Sequence, residues 1–163
     1  MASPALSPIL YAEDEPDDVF FMIRACKHAG IESLIQTVND GHEVIHYLSG
    51  DGKFADRNRY PLPRLVLLDL HMPGLTGFDV LEWIRRTPSV ATIPVLVLTS
   101  STIPADIERA SELGANGYLV KPGTPDELVT MTKALRDYWL TQDRLTTKRA
   151  AAAAESADKV ATT

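Results

Sequence analysis

The chain has a single cysteine, Cys26, among its 163 residues, which excludes an intrachain disulfide and fits a reducing compartment. Cys26 falls on an apolar helical face, where a buried filler is the ordinary reading. No apolar run approaches the roughly 20 residues of a membrane span. The start, Met-Ala-Ser-Pro-Ala-Leu-Ser-Pro, has neither the basic segment nor the apolar stretch of a leader. A cytoplasmic location with no membrane partner is therefore expected. Basic residues are in deficit, 16 against 22 acidic ones, for a formal charge of −6. With no local Lys/Arg cluster, that balance argues against a nucleic-acid surface. There is no internal repeat, no second domain and no basic helix-turn-helix segment. The length suits one domain, and a hydrophobic fraction of 45% suffices for a core.

Within that frame, short apolar runs alternate with helical patterns. Residues 9–14 read as a first strand, Leu34 to Val38 as a second and Leu65 to Leu68 as a third. Val95 to Leu98 makes a fourth and Tyr118 to Val120 a fifth. Pro16 suits the first turn of a helix whose apolar positions are Val19, Met22, Ile23 and Cys26. Asp40 and Glu43 have capping-box spacing before Val44, Ile45 and Leu48. Thr76 and Asp79 cap a third helix, Pro104 opens a fourth, and Thr124-Pro125-Asp126-Glu127 starts a fifth. Unbroken apolar strands alternating with helices predict a five-stranded, doubly wound parallel sheet with right-handed crossovers. The domain is placed at 8–143, after an N-terminal extension of residues 1–7. A polar, Pro-marked segment, 51–63, exceeds the usual helix-to-strand connection and reads as an insertion with a partner-facing role. Residues 144–163 read as a frayed tail, Ala-rich but without an apolar stripe.

The chemistry lies at the strand ends. Leu65-Val66-Leu67-Leu68 ends in Asp69, followed by Leu70-His71-Met72-Pro73-Gly74. The first strand ends in Glu13-Asp14, the fourth in Thr99-Ser100, and the fifth in Lys121-Pro122. Open α/β sheets bind ligands at the carboxyl ends of their strands. Three carboxylates brought together there repel unless a cation intervenes, and a hard divalent ion such as Mg²⁺ takes oxygen ligands of this kind. Each residue alone has a bland reading: a loop acid, a turn hydroxyl, a snorkelling lysine. The ordered set is far more specific.

Acid pair, single Asp, hydroxyl and Lys in this order, with 30 residues between Asp69 and Thr99 and with Gly-Tyr-Leu-Val-Lys-Pro at the fifth strand, resemble the receiver domain of two-component response regulators. The resemblance implies the flavodoxin-like strand order 2-1-3-4-5 with five helices. It implies that Asp69 is a phosphoacceptor served by a sensor histidine kinase, with Thr99 and Lys121 as partners in catalysis. Mg²⁺ would be held by Glu13, Asp14, Asp69 and the main-chain carbonyl of His71. Thr99 and Tyr118 would form the conformational switch, while His71 and Ser101 would tune phosphoryl lifetime. Lys121-Pro122 would be a cis peptide. On this reading the protein is no enzyme in the ordinary sense but a phosphoacceptor switch that assists its own phosphorylation and dephosphorylation.

The acidic run at 13–18 and the Tyr-Pro-Leu-Pro-Arg end of the insertion are similar to the single-domain regulators associated with bacterial phytochromes, which implies a bacteriophytochrome kinase as partner. A stand-alone regulator is expected, one whose signal leaves by a protein contact. A homodimer through the final strand and helix, with Tyr138, Trp139 and Leu140, is expected. A phosphorelay intermediate, passing the group to a histidine phosphotransfer protein, would carry the same site. Two other readings compete. His42-Glu43-Val44-Ile45-His46 is a literal H-E-x-x-H, the zinc-protease pattern, yet no third ligand is obvious and Glu43 has a capping role. A haloacid-dehalogenase-type phosphatase would need a second Asp where His71 stands.

Overall fold

The computed structural model describes residues 7–138. Five strands, β1 (Ile9–Ala12), β2 (Ile35–Val38), β3 (Leu65–Leu68), β4 (Val95–Thr99) and β5 (Gly117–Val120), form one sheet in the order β2-β1-β3-β4-β5. All neighbours pair in parallel. The helices are α1 (Pro16–His28), α2 (Gly41–Ser49), α3 (Gly77–Arg86), α4 (Pro104–Glu112) and α5 over 125–138. The architecture is the doubly wound one expected from the alternation. Glu13 and Asp14 lie just beyond β1, and Leu34 belongs to a 3₁₀ turn (Glu32–Leu34) before β2.

β1 and β3 are buried along their full lengths, which explains their lack of polar alternation. Side chains nonetheless divide by parity. Leu10, Ala12, Val66 and Leu68 pack with α2 and α3 residues such as Val44, Val80, Leu81 and Ile84. Ile9, Tyr11, Leu65 and Leu67 pack with Met22 and Cys26 of α1 and with Leu128 and Leu135 of α5. Full burial of each such aliphatic chain is worth about 1.5–3 kcal/mol, so the two helical layers hold the sheet from both faces. Cys26 is buried as filler, and burial pushes its thiol up to about 11.

Local signals explain the helix ends. Thr76 Oγ1 accepts from Asp79 N–H while Asp79 Oδ2 accepts from Thr76 N–H, a reciprocal cap on α3. Asp40 Oδ1 accepts from Glu43 N–H at 2.8 Å, and Glu43 reaches back one residue further than expected, to Asn39 N–H at 2.7 Å.

The aromatic residues of the 51–63 segment point inward, while Lys53, Asp56, Asn58 and Arg59 are exposed. Phe54 is buried, and Phe54, Tyr60 and Tyr47 form a ring cluster with centroids 5.0–6.0 Å apart. Arg57 donates to the last carbonyls of α2, Tyr47 O at 2.7 Å and Leu48 O at 2.8 Å, where a cation also complements the helix dipole. The insertion therefore serves as a packed C-terminal cap for α2. One correction concerns Lys121-Pro122: no described peptide bond is cis, so this one is trans, the form that X-Pro bonds ordinarily favour.

Residues 1–6, Trp139, Leu140 and the 144–163 tail lie outside the described residues. No described helix is long and apolar enough to cross a membrane.

Candidate functional site

Parallel strand order puts the carboxyl ends of β1 and β3 side by side, so Glu13, Asp14 and Asp69 converge. One oxygen from each lies within 4.8 Å of the others, and among the described residues this is the group that could hold a metal ion. Gly77, the first residue of α3, lets that helix approach closely. A β-carbon there would overlap the Asp69 carbonyl and sit 2.8 Å from Leu70 Cα. Gly77 N–H instead donates to Leu70 O at 3.0 Å, fixing the backbone beside Asp69.

Lys121, at the end of β5, reaches across to the acids. Its ammonium lies 2.6 Å from Glu13 Oε2, 2.9 Å from Asp18 Oδ2 and 3.4 Å from Asp69 Oδ2. Burial works against the charged ammonium, but hydrogen bonds to Glu13 and Asp18 and the charge of Asp69 more than offset it and raise the Lys121 pKa. Glu13 is fully buried, and burial pushes its carboxyl up to about 7 against the pull of Lys121, with the Asp69 charge adding to the rise. Tyr11 OH donates to Glu13 Oε2 at 3.3 Å, and Glu15 N–H donates to Oε1 at 3.1 Å. Burial, then the Glu13 charge, raises the Tyr11 hydroxyl well above its ordinary range.

The three acids are thus held unequally. Both Glu13 oxygens have protein donors. Asp69 makes only long contacts, 3.4 Å from His71 N–H to Oδ1 and 3.4 Å from Lys121 to Oδ2. Asp14 Oδ1 is buried with no hydrogen-bond partner. An orphaned carboxylate oxygen is costly, and beside two further acids it fits an oxygen-seeking divalent cation. The donor set therefore suits Mg²⁺, with Asp14 and Asp69 holding the free oxygens and Glu13 already engaged.

Thr99 is fully buried at the end of β4, its Oγ1 accepting from Ser101 N–H at 3.4 Å and its carbonyl from Lys121 N–H at 2.8 Å. Tyr118, half-buried, packs with the Leu70, Phe78, Val97 and Ala110 cluster and donates its hydroxyl to Ser101 O at 3.0 Å. His71 is exposed, with Nε2 3.6 Å from Asp106 Oδ2. Ser101 Oγ donates to that same oxygen at 2.6 Å. The structure therefore gathers every expected residue at one edge of the sheet.

Two residues at this edge went unassigned in the sequence. Asp18 lay within the quoted acidic run, and its place in the first turn of α1 was the available signal. Asp106 sits in the first turn of α4, where an acid ordinarily reads as a complement to the helix dipole. The H-E-x-x-H pair does not build a centre. Glu43 is taken by Lys53, 2.7 Å away, and by Asn39 N–H, and burial notwithstanding these bonds lower its pKa. Among the described residues no compact set of three ligands includes His42 and His46.

A family model for the response regulator receiver domain matches residues 9–133. The probable methanogenesis regulatory protein FilR2 of Methanothrix harundinacea is 35% identical over 136 residues, covering 83% of this chain and 85% of its own length. Response regulator Rcp1 of Synechocystis sp. is 32% identical over 132 residues, 81% of this chain and 88% of Rcp1. The Mn²⁺-bound form of Rcp1 aligns with a TM-score of 0.72 at 31% identity, over 82% of this chain and 94% of that one. The phosphorylated cyanobacterial phytochrome response regulator RcpA aligns with a TM-score of 0.76 at 31% identity, over 85% and 96%.

Proposed function

This chain belongs to the response regulator receiver domain family of two-component systems, and from that premise we propose that it accepts a phosphoryl group on Asp69 from a sensor histidine kinase and signals by a change of shape. The carrying observation is the state of Asp69: buried, loosely held at 3.4 Å on each oxygen, and next to both Lys121 and the unpartnered Asp14 oxygen. A carboxylate so placed is free to attack. One Asp69 oxygen bonds to phosphorus as the bond from phosphorus to the kinase imidazole breaks, leaving an acyl phosphate and a free histidine.

Asp14, Asp69 and the His71 carbonyl, with Glu13 in support, would hold Mg²⁺, and the ion would supply positive charge toward the phosphoryl oxygens. Lys121 supplies a fixed positive charge on the other side, held in place by Glu13 and Asp18. Thr99 offers a buried hydroxyl that can turn from Ser101 N–H to a phosphoryl oxygen. Tyr118 then releases Ser101 O and its ring follows into the vacated space, carrying the event to the β5 and α4 surface. The acidic site, the Mn²⁺-bound Rcp1 and the phosphorylated RcpA support this reading. RcpA's phytochrome association supports a bacteriophytochrome as the kinase.

A homodimer is the proposed output contact. Ile103 at the N-cap of α4, Ile107 on α4, Val120 on β5 and Tyr138 on α5 expose 40–62% of their area, and these are the apolar side chains that a dimer contact would cover. Sedimentation at micromolar concentration should show a dimer whose affinity changes on phosphorylation; a monomer in both states would remove the dimer from the account.

Labelled phosphate from a bacteriophytochrome kinase tests the main reading. Transfer to the parent chain and none to Asp69→Asn, with the variant still folded, is expected. Wild-type labelling of Asp69→Asn would overturn it. Onward transfer to a second histidine protein would replace the output switch by a relay.

A further inference from the structure

The loop between β4 and α4 is pinned at a residue whose bonds exceed what the site requires. Ser101 is buried and all its polar atoms are engaged. Its N–H donates to Thr99 Oγ1 at 3.4 Å, and its carbonyl accepts from Tyr118 OH at 3.0 Å. Its hydroxyl accepts from Ile103 N–H at 3.3 Å and donates to Asp106 Oδ2 at 2.6 Å. That last bond, hydroxyl to carboxylate, is the short and charge-assisted one, and therefore the strongest of the four. The same oxygen lies 3.6 Å from Nε2 of the exposed His71, on the loop after β3.

We propose that Asp106 is a positioning residue for the phosphoryl switch: through Ser101 it holds the loop in the arrangement that keeps Thr99 and Tyr118 occupied, and so sets how readily the protein takes up a phosphoryl group. The proposal rests on Asp69 being the phosphoacceptor. Turning Thr99 toward a phosphoryl group gives up the 3.4 Å bond that its hydroxyl accepts from Ser101 N–H, and shifting Tyr118 gives up the bond that its hydroxyl donates to Ser101 O. An anchor on Ser101 weights the resting arrangement to the extent that its bond is lost when the loop rearranges. Asp106 also stands in the first turn of α4, whose N-cap, Ile103, has no side-chain cap. A purely structural role would be to replace that cap, and the two roles part in their consequences.

The test compares Asp106→Ala, Asp106→Asn, Ser101→Ala and the double Ala variant in the full chain. In the unphosphorylated protein, the Tyr118 ring resonance (assigned through Tyr118→Phe) and hydrogen exchange at Ile103 N–H report the loop. Acetyl phosphate with Mg²⁺, followed by intact mass, reports the rate of phosphorylation. Asp106→Ala should shift the Tyr118 resonance, speed Ile103 exchange and accelerate phosphorylation by about fivefold. Asp106→Asn keeps an acceptor for Ser101 and should restore most of the parent behaviour. The double variant should be no faster than Ser101→Ala alone, since that variant has already lost the Asp106 bond. A lower melting temperature with an unmoved Tyr118 resonance would overturn the proposal in favour of a helix cap. Additive effects of the two Ala changes would overturn it as well. If the parent chain takes up no phosphoryl group, the phosphoacceptor reading fails, while Tyr118 and Ile103 still decide whether Asp106 holds the loop.

Discussion

At the carboxyl edge of the sheet Lys121 faces three carboxylates, whereas at the amino edge Arg85 faces none. Arg85 donates to Gly114 O at 3.0 Å, to Ala91 O at 3.1 Å, to Ile93 O at 2.8 Å and to Asn116 Oδ1 at 2.8 Å, and Asn116 Oδ1 also accepts from Val95 N–H at 2.8 Å. All these acceptors are neutral, and burial lowers the Arg85 pKa. At the other edge negative charge is in excess even after Lys121 is counted, and one Asp14 oxygen has no partner. A clamp that satisfies every group gives rigidity, and a cluster left one cation short gives a site. The same fold places both, one at each end of its strands.

The largest expected effects separate the two edges by their response to metal. Lys121→Met removes one partner of buried ion pairs and should cost about 3 kcal/mol in urea denaturation without divalent ions. Arg85→Met strands four acceptors and should cost about 2 kcal/mol. Added Mg²⁺ should restore much of the first loss and none of the second, because only the carboxyl edge lacks positive charge. Equal recovery of both variants would erase the distinction.

A smaller effect is the pH dependence of the metal-free protein. Glu13 titrates near 7 when folded against an ordinary 4.5. Between about pH 4.5 and 7 the folded state holds more protons than the unfolded one, so stability declines as pH rises through that window. Melts in chelator should show a loss of about 2.5 kcal/mol across it, and Glu13→Gln should flatten the slope. A rise in stability over the same range, removed by Glu13→Gln, would mean that Lys121 outweighs burial at this carboxyl. The smallest effect belongs to Tyr11→Phe. It removes one 3.3 Å bond to an oxygen already held by Lys121, and should cost under about 1 kcal/mol.

The carboxyl edge was the more legible of the two in the sequence. Glu13, Asp14, Asp69, Thr99 and Lys121 each follow an apolar run, so the strand pattern alone points them the same way. Asp18 and Asp106 sit one turn into helices, where acids are common for reasons of dipole, and only packing shows that they face Lys121 and Ser101. The Arg85 clamp is illegible for a related reason: its partners are carbonyls, which leave no mark in side-chain chemistry. The packing of the 51–63 segment is illegible because Phe54 and Tyr60 are set among charged residues without any period, so their common packing against Tyr47 is a tertiary fact.

The central claim is that the cation-poor edge is a phosphoacceptor site centred on Asp69. Its most direct measurement is to incubate the chain with acetyl phosphate, with and without Mg²⁺, then reduce with borohydride, which converts an aspartyl phosphate to homoserine, and sequence the peptides by mass spectrometry. The account predicts homoserine at position 69 only, dependent on Mg²⁺, with none at Asp14 or Asp18. Homoserine at another acid, or phosphate retained on a histidine such as His42 with Asp69 intact, would contradict it.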